Sequence, residues 1–210
     1  MKDTSLFRTL LFLFSVWLLL PQSTSAQHLS MHEHAGHSQK NPFMAMMDTM
    51  MTKMEAAGGS ISVETGFITQ MIPHHEGAIA MANYQIKYGK SFVMIQLAKS
   101  ILAEQTNELQ KMKLWLVQAP EKSPAIDPTG FDKSMAQTMH LMMERMPDPT
   151  ALTDTDHDFA RIMIPHHQAA IDMAKAAISF SRDQQTSAFA KQIIASESIE
   201  VEQMSAFLNE

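Results

Sequence analysis

The tetrapeptide Ile72-Pro73-His74-His75 recurs as Ile164-Pro165-His166-His167, and its surroundings recur with it. Phe67, Met71, Ala78, Ile79 and Met81 are matched by Phe159, Met163, Ala170, Ile171 and Met173, always 92 residues on. The same offset carries Ala98-Lys99, Ile101, Ala103, Glu108 and Met112 onto Ala190-Lys191, Ile193, Ala195, Glu200 and Met204. Such self-similarity marks an internal duplication, in which one supersecondary unit buries its apolar face against its copy. A fold for this chain must provide two equivalent places for its most polar repeated element, a pair of adjacent imidazoles.

The start of the chain bounds where it works. Lys2 and Arg8 precede the apolar run Leu10–Leu20, which is too short to span a bilayer and suits the core of a signal peptide. Thr24-Ser25-Ala26 supplies the small residues of a cleavage site, so residues 1–26 read as a signal peptide and the mature chain starts at Gln27. An uncleaved membrane anchor is the alternative; on the signal-peptide reading the chain meets a membrane only during export. Loss of Lys2, Arg8 and Asp3 changes the formal charge from −6 to −7. An acidic chain lacks the basic face that nucleic acid requires. There is no cysteine, so an exported protein of this kind has neither a disulfide framework nor a thiolate ligand. If it binds a soft metal, histidine and methionine must do so, and thioethers carry no proton near neutral pH and form no disulfides.

Residues 27–41 form a polar tail with His28, Met31, His32, His34 and His37 and no apolar periodicity, as expected of a segment disordered when free. The rest, 42–210, is helical in pattern. Asn41-Pro42 is a helix start, and Phe43, Met47, Met50, Met51 and Met54 follow at helical spacing until Gly58-Gly59. A second helix is predicted from about Val63 to Tyr88, and a third from a Ser91 cap to about Val117. Residues 119–130, with Pro120, Pro124, Pro128 and Gly130, form the linker between repeat one (42–118) and repeat two (131–208). Met135, Met139, Met142, Met143 and Met146 repeat the first stripe. Thr153 to Asp156 then caps a helix reaching about Phe180, and Asp183 caps one reaching about Leu208. Strand signals are absent. The expected fold is all-α: two related three-helix units closing into one bundle with antiparallel neighbours.

Pro73 and Pro165 sit inside apolar helical patterns, where each removes a backbone donor and strains the carbonyl of Thr69 or Arg161. A kink or a fresh helix start is expected at each. On a helical wheel His75 and His167 fall near the centre of the apolar face. His74 and His166 fall at its edge, on the side of Met81 and Met173 two turns on, and Glu76 and Gln168 point to solvent. In the following helices Gln105 and Glu197 lie mid-stripe and Glu108 and Glu200 at its edge. Buried polar groups need partners, and the core histidines are the natural ones. The spacing leaves open whether His75 meets Glu197 and His167 meets Gln105, or whether each histidine pairs within its own half. A His–Glu network of this kind could serve only to fix helix order; equally, a carboxylate on the far nitrogen is a common partner of a metal-bound imidazole.

Among the 20 methionines, the two stripes read as core first and ligands second. Met44 and Met46 lie off the stripe and join the tail histidines as an open, soft ligand set. His140 and His157 are isolated and read as solvated. Imidazole with thioether suits copper, since thioether selects Cu(I) and imidazole accepts Cu(I) or Cu(II). Zinc has little use for methionine, and calcium or magnesium would need more clustered carboxylates.

Met-Ile-Pro-His-His followed by Ala-Ile-x-Met-Ala, then Gln/Glu-x-x-Glu-x-x-x-Met a helix later, all present twice across residues 63–208, resembles the exported bacterial domain-of-unknown-function family 305. CopM-like periplasmic copper proteins belong to that family. The resemblance implies a ferritin-like helical bundle, copper binding and copper tolerance. It implicates Met71, His74, His75 and Met81, and Met163, His166, His167 and Met173. The copies differ in Glu76-Gly77 against Gln168-Ala169 and in Gln105 against Glu197, a basis for unequal halves. The leading expectation is a non-catalytic periplasmic or secreted copper protein. It would capture copper through the tail with Met44 and Met46, hold it at the His-Met clusters, buffer it or pass it to another periplasmic carrier, and release it through the ordinary imidazole range. A di-metal oxidase needs Glu-x-x-His on two helices, where this chain has Gln105-x-x-Glu108 and Glu197-x-x-Glu200. A metal-free helical interaction module is the third reading. No cysteine nucleophile and no glycine-rich phosphate loop occurs.

Overall fold

A computed structural model describes residues 40–58, 62–118 and 127–210. Each helix begins where a side chain can accept the first free amides. Asn41 accepts from Phe43 and Met44 at the start of α1 (Pro42–Ala57), and Gly58, at φ 67°, ends it in the left-handed region that glycine tolerates. Ser62 caps α2 (Val63–Tyr88), and Ser91 accepts from Met94 ahead of α3 (Phe92–Gln118). Asp127 caps α4 (Pro128–Glu144), which begins inside the segment expected to be linker because Pro128 is a favourable first helical residue. After a short 3-10 turn (Pro149–Ala151), Asp154 caps α5 (Thr155–Phe180) and Asp183 caps α6 (Gln184–Leu208). The chain is thus an all-α bundle with no strand among the described residues. Among the same residues no helix is long and apolar enough to cross a membrane.

The two prolines produce no fresh start. Pro73 and Pro165 are both buried inside unbroken helices. Packing on several sides outweighs the loss of one helical hydrogen bond.

In the packing order α2 lies against α3, α5 against α6, and α2 against α5, with α1 on α2 and α4 on α5. Two acids separated by the duplication offset fix the direction of the central pair. Asp156, at the start of α5, accepts from the Gln85 side-chain amide near the end of α2. It also accepts from the backbone amides of Lys90 and Ser91, at 3.0 to 3.1 Å. Its equivalent Glu64, at the start of α2, accepts from the Ser181 hydroxyl at 2.6 Å, just past the end of α5. Each helix start therefore meets the other helix's end, so α2 and α5 run antiparallel about a pseudo-twofold axis. Gly89 is required by close approach, since a Cβ there would lie 2.3 Å from the Gln85 amide nitrogen and 2.7 Å from an Asp156 oxygen. Replacing the buried Asp156 with Ala strands three donors at roughly 1 kcal/mol each. We expect a loss of about 3 kcal/mol and a melting temperature lower by about 6–12 °C, measured by thermal circular dichroism.

Most of the methionine stripes pack as expected: Met47, Met50, Met54, Met135 and Met142 are buried. Two assignments change. Met143 is 41% exposed, because α4 is covered mainly by α5 and turns that position to solvent. Met44 is buried, and Met46 is half-buried against the core, so neither belongs to an open ligand set. Off-stripe residues are covered here because α1 packs on α5 as well as α2.

Candidate metal centre

The antiparallel crossing of α2 and α5 brings the middles of the two helices together, and the duplicated doublets occupy those middles. The His74 and His166 rings face each other with centroids 3.7 Å apart and planes inclined by 35°. His75 and His167 lie outward of this pair, 6.4 Å from His74 and 5.8 Å from His166. All four are fully buried. The peripheral position expected for His74 and His166 is therefore wrong. The edge of the face that α2 turns to α3 becomes the centre of the face it turns to α5, which a single-helix wheel cannot show. Glu76 does reach solvent, paired with Lys53 at 2.8 Å and Lys113 at 3.3 Å.

Partners divide the four histidines into two kinds. His75 Nε2 lies 2.9 Å from Glu108 Oε2, and the Gln192 amide donates to the other Glu108 oxygen at 3.1 Å. His167 Nε2 lies 2.9 Å from Glu200 Oε2 and Nδ1 lies 3.5 Å from Glu197 Oε2, though neither contact is aligned as a hydrogen bond. Pairing is thus within each half for both His75 and His167. Gln105 and Glu197 instead meet each other across the axis, the Gln105 amide donating at 3.0 Å. Sequence reasoning named Glu108, Glu200, Gln105 and Glu197 as partners but missed Gln192, which carries no burial or motif signal.

His74 and His166 are different. No ring nitrogen of either has a well-formed hydrogen bond. Burial pushes the His74 imidazole well below its ordinary pKa, and the neighbouring His75 and His167 add to the effect. Burial does the same to His166, with His74, His167 and His75 contributing. In each case the backbone of the opposing histidine resists the shift without supplying an aligned partner. Burial raises the Glu197 carboxyl well above the usual range, and Glu200, Glu108 and Glu104 push it the same way. The central rings are therefore neutral imidazoles with free lone pairs, the protonation state that binds metal.

Free lone pairs do not by themselves make a formed centre. Imidazole lone pairs lie in the ring plane, so two rings stacked at 3.7 Å do not aim theirs at one point. Among the described residues, no three of His, Cys, Asp and Glu are grouped to hold a metal ion. Shared capture of an ion requires the rings to rotate out of the stack. Met71, Met81, Met163 and Met173 are all buried in the same core. Met71 and Met163 lie one turn before their doublets. Met81 and Met173 lie about 10 Å along the helix from His74 and His166. His140 and His157 are exposed beside Glu144 and Asp154, as expected of solvated residues. The tail residues His28, His32, His34 and His37 lie outside the described residues.

The profile of the family described as "Domain of unknown function (DUF305)" matches residues 14–116 and 115–208. No curated protein matches the chain. Among solved structures, CopM in its Cu(I)-bound form is 28% identical with a TM-score of 0.52, covering 70% of this chain and 95% of its own. CopM in its Cu(II)-bound form is also 28% identical, at TM-score 0.53 with the same coverage. A DUF305 fragment from Deinococcus radiodurans is 21% identical, at TM-score 0.51, covering 70% of this chain and 95% of its own; at that identity it speaks to the fold alone.

Proposed function

This chain belongs to the DUF305 family, and from that membership and its likeness to CopM we propose that it is an exported, non-catalytic copper-binding protein that buffers copper or passes it to another carrier. One observation carries the reading. His74 and His166 are buried, neutral and without well-formed hydrogen bonds, in a chain that has no thiol. A core that leaves imidazole nitrogens unpaired gives up stability, which is understandable if those nitrogens have another use. His75 and His167, held beside carboxylates, orient the doublets and favour a structural share for that outer pair. The thioethers of Met71 and Met163 suit Cu(I), and the imidazoles suit either oxidation state. The tail imidazoles would collect copper first. Export rests on the Leu10–Leu20 run and the Thr24-Ser25-Ala26 site.

The lowered pKa of the central rings changes the expected pH dependence. Copper on the tail should be released through the ordinary imidazole range, whereas copper at His74 and His166 should persist to lower pH because protons compete poorly there. Titration of residues 27–210 and of residues 40–210, which retain the Asn41 cap, at pH 7.5 and 5.5 tests this. The shorter form should keep its copper at both pH values, and the additional equivalents of the longer form should vanish at 5.5. If the shorter form holds neither Cu(I) nor Cu(II) at either pH, the reading fails.

A further inference from the structure

α1 and α4 are the first helices of the two repeats, and each packs on a central helix more than on the other. Between them lies a cleft of about 430 Å³ lined by Met51, Met54, Met135 and Met139, with Glu55 and Asp132 also on its walls. Met54 and Met135 are buried and Met51 and Met139 half-buried, so two of the four methionines are partly open to solvent. The four are not equivalent under the duplication: Met139 corresponds to Met47 and Met51 to the exposed Met143. Core packing repeated twice does not explain the gathering.

The local electrostatics favour a cation. The cleft receives the carbonyl end of α1, where the helix dipole is negative, and no basic residue stands in that last turn. Gln70 donates to the carbonyls of Met54 and Gly58 at 3.2 Å each, holding this end of α1 against α2. Both acidic side chains on the cleft walls are exposed, and no Lys or Arg joins them among the described lining residues. Thioethers select soft ions and discriminate against calcium, magnesium and zinc.

We propose that the α1/α4 cleft is a second metal site, an all-thioether site for a monovalent soft cation of the Cu(I) class, separate from the histidine seam. The copper reading above supplies only the identity of the ion; the donor set and charge stand apart from it. Thioethers do not titrate in the accessible range, so this site keeps its ion in acid.

Silver(I) is the probe, because it is monovalent and soft and does not change oxidation state during the measurement. Residues 27–210 with ¹³C-methyl methionine are titrated at pH 7.5 and 5.0. We expect the Met51, Met54, Met135 and Met139 methyl resonances to move together with one equivalent at both pH values. The Met51→Leu/Met135→Leu/Met139→Leu protein keeps its core volume. It should melt near the parent temperature, lose that equivalent and bind silver there at least tenfold more weakly. Four unmoved resonances at both pH values, or full silver stoichiometry in the folded leucine variant, would overturn the proposal. Retention of copper by the seam with unmoved cleft methionines sinks this site alone. Moved cleft methionines with no copper on the seam sink the seam reading and leave this one standing.

Discussion

A His74→Leu/His166→Leu protein is expected to fold at least as well as its parent at pH 7 and to bind copper at least about a hundredfold more weakly. Leucine is close to histidine in volume and brings no polar atoms into a site where all four ring nitrogens of the pair lack a well-formed hydrogen bond. Replacing unpaired buried polar groups by apolar ones of similar shape is neutral or stabilising. Loss of an outer partner alone costs a metal site about 10- to 100-fold, so losing two ring donors should cost no less than the upper figure. His75→Leu/His167→Leu should behave in the opposite sense for stability. That change strands Glu108 and Glu200 beside apolar groups and should destabilise by about 2–3 kcal/mol. Urea melts and competitive copper titration on both proteins separate the roles. A leucine pair at 74 and 166 that leaves copper affinity intact would mean that the histidine seam does not hold the copper.

Acid should destabilise the metal-free protein, and removing the ionisable Glu197 carboxyl should make it more acid-sensitive. In His74 and His166 the folded-state pKa is depressed below the unfolded value of about 6.5. Between 6.5 and their folded values the unfolded chain takes up two protons that the folded chain refuses. Stability present above 6.5 is therefore lost as pH falls, by about 1.4 kcal/mol per pH unit for each ring. Glu197 works against this. Its folded-state pKa is raised, so its contribution is full below about 4.5 and lost as pH rises through the raised value. Where the rings are neutral and Glu197 is protonated in the folded state, one proton's worth of slope remains. Across that window the three groups together still cost the folded chain stability as pH falls. Glu197→Gln keeps an acceptor for the Gln105 amide and removes the opposing proton, so stability should fall about twice as steeply with acid in that window. Urea midpoints at pH 6.5, 5.5 and 4.5 report it. A Gln variant no steeper than its parent would mean that Glu197 is charged in the folded bundle.

Much of the fold is legible in the chain because it depends on local chemistry. Asn41, Ser62, Asp154 and Asp183 cap the helices they precede in sequence, and Gly58 stops α1, since each acts within a few residues of itself. The polar residues in the apolar stripes are likewise readable as partners in waiting, and Glu108 does reach His75. Exposure is where single-helix reasoning fails. Met44, His74 and His166 lie off the face that a helix wheel selects and are buried, because α1, α2 and α5 each meet more than one neighbour.

From sequence alone follow the duplication, the helical class, the equivalence of the two Pro-His-His doublets, and their need to be accommodated twice without thiols. Those properties reside in spacing and residue type. Which residues would stand on the axis was decided by the tertiary structure. Glu64 and Asp156 each hold the far end of the opposing helix, so α2 and α5 cross antiparallel at their middles, and His74 is stacked on His166. A pseudo-twofold crossing brings equivalent residues face to face only where they lie near the axis. Where that axis passes is set by contacts 65 to 117 positions apart, at Asp156 and Glu64, beyond the reach of any local pattern.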